Sequence, residues 1–182
     1  MKSEIEVKAK VKDFEALISK LNEIGCVLSE PITQDDYVYN QKGVNLKDHS
    51  HNTPVLRIRE QGNKIIFTLK KNRSNELDCI EKEVDVNDRD TMFDIFELLG
   101  FQKTVEVHKK RKKGNYHEYE ICLDEVQDLG SFIEVEKISD EDGEKVQNEL
   151  FDFLKMLGVE KEDRVLVGYD TQLWRKNNNF KS

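Results

Sequence analysis

The chain has 182 residues and a mass of 21.3 kDa, which suits one domain, or two only if both were small. Charged residues make up 36% of it, against roughly 25% in an average domain, yet they alternate with Ile, Val, Leu and Phe, which excludes a disordered chain. The net charge of −8 argues against a general binder of nucleic acid or anionic membranes, and no apolar run approaches the roughly 20 residues of a membrane span.

No signal peptide is expected before Glu4, where strict alternation begins. Ile5, Val7, Ala9 and Val11 share one face of a strand; Glu4, Glu6, Lys8 and Lys10 share the other. Asp13 is placed to cap a helix carrying Phe14, Leu17, Ile18, Leu21 and Ile24, and Gly25 to end it. Residues 26–39 are a weaker strand candidate, and residues 41–52, with two His and no apolar rhythm, read as a long exposed loop. Residues 54–60 and 64–71 read as strands joined by a tight turn at Gln61-Gly62. The strand 81–86 leads past Asn87 into a helix with Met92, Phe93, Ile95, Phe96 and Leu99, stopped at Gly100. Strands 102–113 and 115–124 follow, with a hairpin turn expected at Gly114-Asn115. The strand 134–138 leads past Ser139 into a helix with Val146, Leu150, Phe153, Leu154 and Leu157, stopped at Gly158. Trp174 is expected to anchor a last helix, residues 1–175 to form a single domain, and 176–182 a flexible tail. A strand with Glu-x-Glu, a polar cap, an amphipathic helix and a Gly stop thus recurs three times. Eight or nine strands with three or four helices make an α+β architecture. Cys26, Cys79 and Cys122 lack zinc-type spacing and read as buried, reduced thiols of a cytoplasmic protein.

The polar strand faces carry like charges two residues apart: Glu4/Glu6, Glu81/Glu83, Glu134/Glu136, Arg57/Arg59 and Lys109/Arg111, with Lys70 and Asp124 on further strands. Like charges on one face repel, so a surface selected for stability would mix signs. A sheet that closes with its helices outside turns these faces inward and makes a polar tunnel. Such an interior holds only if its charges are paired, solvated or bound to a ligand. Guanidinium and ammonium groups bind phosphate oxygens, and paired carboxylates bind hard cations, so the two sets together specify a metal-bound polyphosphate. No P-loop, kinase Gly-rich loop or Rossmann fingerprint is present, which leaves the phosphates to side chains. The basic run 109–113 could be a nucleic-acid patch, but strand alternation sends Lys109, Arg111 and Lys113 one way and Lys110 and Lys112 the other. His49-x-His51 lacks a third ligand nearby, and His108 and His117 lack a nucleophile.

Taken in order, the series Glu4-x-Glu6-x-Lys8, Gln34-x-Asp36, Leu56-Arg57-Ile58-Arg59, Thr68-Leu69-Lys70, Glu81-x-Glu83, Lys109-x-Arg111 and residues 129–136, ending Glu134-Val135-Glu136, resembles the CYTH superfamily, the triphosphate tunnel metalloenzymes. The resemblance runs from Glu4 to about Tyr169. It implies a closed or nearly closed antiparallel eight-stranded β-barrel, a tunnel with helices packed outside. By match to the motifs, Lys8, Arg57, Arg59, Lys70, Lys109 and Arg111 would grip phosphates. Glu4, Glu6, Glu134 and Glu136 would carry Mg²⁺ or Mn²⁺, with Asp124 at a further acidic, metal-side position. Glu4, Glu6 and Glu136 would be the catalytic carboxylates, and Glu81 and Glu83 tunnel-wall groups. The implied substrate is a small-molecule triphosphate (ATP, thiamine triphosphate or tripolyphosphate), bound by a monomer or homodimer without nucleic acid or membrane. Class IV adenylate cyclase chemistry stands first, tripolyphosphatase or thiamine/nucleoside triphosphatase next, and a non-catalytic polyphosphate or nucleotide module last. Two departures are visible: Leu166-Val167-Gly168-Tyr169 lacks the lysine that relatives often carry there, and no His-Phe precedes Glu4.

Overall fold

The computed structural model describes residues 3–44 and 54–179. Its elements run β1 (Ser3–Lys10), α1 (Phe14–Glu23), β2 (Ile32–Gln41), β3 (Val55–Gln61), β4 (Lys64–Asn72), β5 (Asp78–Val86), α2 (Arg89–Leu98), β6 (Phe101–Tyr116), β7 (Tyr119–Val126), β8 (Gly130–Ser139), α3 (Gly143–Met156), β9 (Arg164–Val165) and α4 (Tyr169–Asn177). The strands are ordered β5-β4-β3-β2-β6-β7-β8-β1, all antiparallel, and β1 returns to β5 through Glu4↔Cys79 and Ile5↔Asp78. That pairing closes an eight-stranded barrel. Further along the same edge of β1, Lys8 and Ala9 pair with the two-residue β9.

Alternation decides what faces outward. Ile5, Val7 and Ala9 of β1, Ile121 and Leu123 of β7, and Ile133 and Val135 of β8 pack under Leu17 and Leu21 of α1 and Val146, Leu150 and Leu154 of α3. A second outer layer sets Tyr39, Leu56, Ile58 and Phe67 against Phe93 and Phe96 of α2. A fully buried leucine or isoleucine contributes about 1.5–3 kcal/mol, so these layers hold the wall while its inner face stays polar. The fourth helix behaves differently. Tyr169, Leu173 and Trp174 of α4 pack on Val38, Val55, Val105, Val107, Val126 and Phe132, and Val38, Val55 and Val107 belong to the lining of the barrel interior. This helix stops one end of the barrel.

Asp13 caps α1 by accepting from the amide of Ala16. The caps of α2 and α3 are Asp88 and Asp142, one and three residues beyond Asn87 and Ser139. The strand expected from Cys26 begins only at Ile32. The hairpin expected to turn at Gln61-Gly62 turns one residue later, at Gly62-Asn63, with Gln61 paired to Lys64 and Gly62 at φ 57°. Gly114-Asn115 does not turn: β6 runs straight through it, and the chain reverses at His117-Glu118, where His117 takes φ 53°. Gly114 serves close approach instead, because a Cβ there would lie 2.9 Å from both Cys26 Sγ and the Val27 carbonyl. At the C-terminal end α4 continues through Lys176, whose ammonium donates to the Asp128 carbonyl at 2.6 Å. Cys26, Cys79 and Cys122 are buried free thiols. His49 and His51 lie outside the described residues. Among the described residues no helix is long and apolar enough to cross a membrane.

Candidate active site

The barrel encloses a cavity of about 330 Å³, and every site residue expected from the sequence except Asp124 lines it. Two arrangements share this space. On one side, cations are held by carboxylates of the same strand, the next strand or the one beyond it. Arg59 forms a two-pronged pair with Asp36, at 2.6 and 2.8 Å. Arg111 grips Asp124 with Nε at 2.7 Å and contacts Glu134 as well. Lys8 bridges Glu134 at 3.0 Å and Glu6 at 3.2 Å, Arg57 bonds Glu83 at 3.0 Å, and Lys70 pairs with Glu81. The register across the strands creates four of these partnerships: Asp36 lies opposite Arg59, Asp124 opposite Arg111, Lys8 opposite Glu134 and Lys70 opposite Glu81. Forked Arg–carboxylate pairs fix the guanidinium plane and leave its remaining N–H groups unused by that carboxylate. Arg57 is held differently, by one nitrogen bonded to Glu83 and Thr68, and its Nε is buried with no protein partner.

On the other side, Glu4, Glu6 and Glu136 converge, with carboxylate oxygens within 4.8 Å of one another. Glu6 stands opposite Glu136 in the β1–β8 ladder, and Glu120 stands opposite Glu136 from β7. Burial raises the proton affinity of Glu136, and Glu4, Glu6 and Glu120 add to it, pushing its carboxyl up to about 9. Burial also raises Glu6, against the pull of Lys8. Glu134, two residues away on the same strand, goes the opposite way: Lys8 and Arg111 outweigh its burial and hold it well below the usual carboxylate range. Asp36 is lowered for the same reason, Arg59 overcoming burial. Within the triad Glu6 shares Lys8 with the clamp, whereas the charged neighbours of Glu136 are all acidic. An all-oxygen set of three carboxylates fits a hard divalent cation such as Mg²⁺ or Mn²⁺.

The expected metal group thus divides. Glu4, Glu6 and Glu136 come together, whereas Glu134 is engaged by two cations. Asp124 lies fully buried on the inner face, covered by the groups that line the cavity, bound to Arg111 and to the Tyr169 hydroxyl at 3.0 Å. Lys109, also buried, has Asp124 and Asp36 at 3.8 and 4.0 Å. Burial, reinforced by Arg111, lowers its ammonium to about 8, with Asp124 pulling the other way. Asp36, Glu120 and Tyr169 join the lining without having been given roles from the sequence. Asp36 stands in the Gln34-x-Asp36 motif and Glu120 shares the inner parity of Asp124, so alternation carried a signal for both. Tyr169, brought in by the return of α4, ends the stretch 166–169 where the resemblance looked for a C-terminal motif, but strand alternation gave no signal for it. Its ring has the Lys8 ammonium 4.2 Å and the Lys109 ammonium 5.1 Å from the centroid.

The CYTH domain family matches residues 2–169. A protein of Methanocaldococcus jannaschii named as a candidate adenylate cyclase is 29% identical over 170 residues, 91% of this chain and 95% of that one. A Pyrococcus horikoshii protein of known structure superposes with a TM-score of 0.79 at 26% identity, over 95% of this chain and 99% of the other. A Hippeastrum adenylyl cyclase candidate, described as having a dominant triphosphatase activity, shares the fold at a TM-score of 0.64 and 18% identity, over 97% and 96% of the two chains.

Proposed function

The chain belongs to the CYTH domain family, and on that premise we propose that it cleaves a triphosphate at phosphorus with the help of a divalent cation. The observation that carries this reading is one cavity that holds a carboxylate-braced cationic clamp beside a three-carboxylate cluster, the two meeting at Lys8 and Glu6. Lys8, Arg57, Arg59, Lys70, Lys109 and Arg111 bind and align the phosphate chain. Asp36, Asp124 and Glu134 hold the clamp arginines and Lys8 in register, so orientation is set before substrate arrives. Glu4, Glu6 and Glu136 would hold Mg²⁺ or Mn²⁺, which supplies Lewis-acid charge for the reacting phosphoryl oxygens.

Hydrolysis of the triphosphate is the first reading. The cavity's one aromatic group among the described residues, Tyr169, already has Lys8 and Lys109 at its ring, and Val38, Val55 and Val107 pack against α4. Among the described residues that leaves charged walls for a phosphate chain and no aromatic shelf for a base. Cyclisation of ATP to cyclic AMP and pyrophosphate is the second reading, favoured by the name of the relative from Methanocaldococcus jannaschii. One incubation series separates them: purified protein with ATP, thiamine triphosphate or tripolyphosphate, in Mg²⁺ or Mn²⁺, with products resolved by chromatography. Orthophosphate without cyclic nucleotide is expected. Cyclic AMP with pyrophosphate would establish the second reading, and binding without any product would leave a polyphosphate-binding module.

A further inference from the structure

We propose that Glu76, to which no motif assigns a role, is a positioning residue for the phosphate clamp; the inference rests on the reading of the cavity as a triphosphate site. Glu76 lies between β4 and β5 and reaches the cavity lining. Its Oε2 accepts from the backbone N–H of Gly168 at 3.0 Å and from the hydroxyl of Thr171 at 2.8 Å. Gly168 is the N-cap of α4 and offers no side chain to the helix start. Glu76 therefore brings, from a distant part of the chain, the acceptor and negative charge that a first helical turn requires.

The segment carrying Glu76 is itself held firmly. Asn75 and Gln147 of α3 exchange two hydrogen bonds of 3.1 Å, and Gln147 also donates to the Glu6 carbonyl at 3.1 Å. The Glu6 amide donates to the Leu77 carbonyl at 2.8 Å. Glu76 is thus a fixed post tied to α3 and β1, and α4 is moored to it. Tyr169 follows Gly168 directly. Its hydroxyl donates to Asp124, which grips Arg111, and its ring meets Lys8 and Lys109. Three clamp cations consequently take part of their placement from the first turn of α4. Without Glu76 that turn loses its mooring, and Tyr169 no longer sets Lys8, Lys109 and Arg111.

The test compares full-length Glu76→Ala and Glu76→Gln with the parent protein. Without ligand, NMR of ¹³C-labelled lysines reads Lys8 and Lys109 side-chain signals displaced by the Tyr169 ring, and amide exchange reads the start of α4. Calorimetry with tripolyphosphate reads the clamp. Glu76→Ala should return both lysine signals toward ordinary positions, speed exchange at residues 169–172, and weaken tripolyphosphate about tenfold, as expected for one lost charge-assisted hydrogen bond. Glu76→Gln keeps an acceptor oxygen and should hold the lysine signals in place and bind within about threefold of the parent. Should Glu76→Ala fail to fold, Thr171→Val removes one donor and leaves the Glu76 charge, and a partial displacement of the lysine signals is then expected. Lysine signals unmoved in Glu76→Ala, or moved with affinity unchanged, would overturn the proposal. A parent protein that ignores tripolyphosphate would instead defeat the triphosphate reading, while the ligand-free lysine signals still decide whether Glu76 positions Tyr169.

Discussion

Glu134 and Glu136 differ in chemistry because of what stands across the strand from each. Glu134 faces Lys8 and stays ionised; Glu136 faces Glu6 and Glu120 and keeps a proton to about 9. Glu136→Ala should accordingly lower turnover by roughly a hundredfold, about 3 kcal/mol of lost Lewis-acid assistance, with tripolyphosphate binding largely kept. Arg59→Ala should mainly raise KM, by about 1.5–3 kcal/mol of lost charge-assisted contact. Steady-state kinetics on the two variants distinguishes these patterns, and equal losses of turnover would sink the division of labour. A pH dependence follows from Lys109. Its ammonium is lowered from 10.5 to about 8, and a bound phosphate favours the charged form. Tripolyphosphate affinity should therefore fall as pH rises past about 8, with proton uptake on binding. Lys109→Arg should flatten that fall, since a guanidinium stays charged. Calorimetry in buffers of different ionisation enthalpy measures both effects.

Single strands and helices show how much their own residues reveal. On β1, β3 and β8 period-two alternation was enough to place Glu4, Glu6, Arg57, Arg59, Glu134 and Glu136 on inner faces, because charged and aliphatic residues alternate there; on β6, where His108, Lys110 and Lys112 alternate with Lys109 and Arg111, parity grouped the pair without marking an apolar outer face. What alternation cannot give is the partner across the strand. The separation of Glu134 from the Glu4–Glu6–Glu136 cluster comes from interstrand register, a property of pairs. The hairpin at Gly114-Asn115 failed for a related reason: a glycine needed for a turn and one needed for close packing look alike until the neighbouring segment is known. Gly114→Ala tests that account. A methyl group 2.9 Å from Cys26 Sγ and the Val27 carbonyl must push the segment after α1 aside. The expected cost is about 1–3 kcal/mol in thermal or urea unfolding, with the reversal at His117 unchanged. Stability equal to the parent would mean that this segment yields freely.

At the scale of the molecule, an interior this charged links stability to ligands. Tripolyphosphate at a hundred times its Kd should stabilise the fold by about 2.7 kcal/mol, raising Tm by roughly 5–10 °C for a chain of this size. Chloride at matched ionic strength should do far less, and equal shifts would deny a specific clamp. Divalent cations should show the reverse pH trend from the clamp. The raised Glu136 carboxyl contributes stability that is fully present below 4.5 and is lost as pH rises toward about 9, so the cation-free protein weakens across that window. Mg²⁺ needs the carboxylate deprotonated, so its increment to Tm should be larger at pH 8 than at pH 6. The short β1–β5 seam has a kinetic meaning as well. Among the described residues two pairs join these strands, so β1 owes most of its place to β8, far away in sequence, and Glu6 meets Glu136 only when that ladder forms. Contacts of such high sequence separation repay their loop-closure entropy late, which slows folding toward the millisecond-to-second range of β-rich domains. The cation cluster is therefore assembled by one of the most non-local ladders in the molecule, and capacity to bind Mg²⁺ becomes a clock for the closing of the barrel.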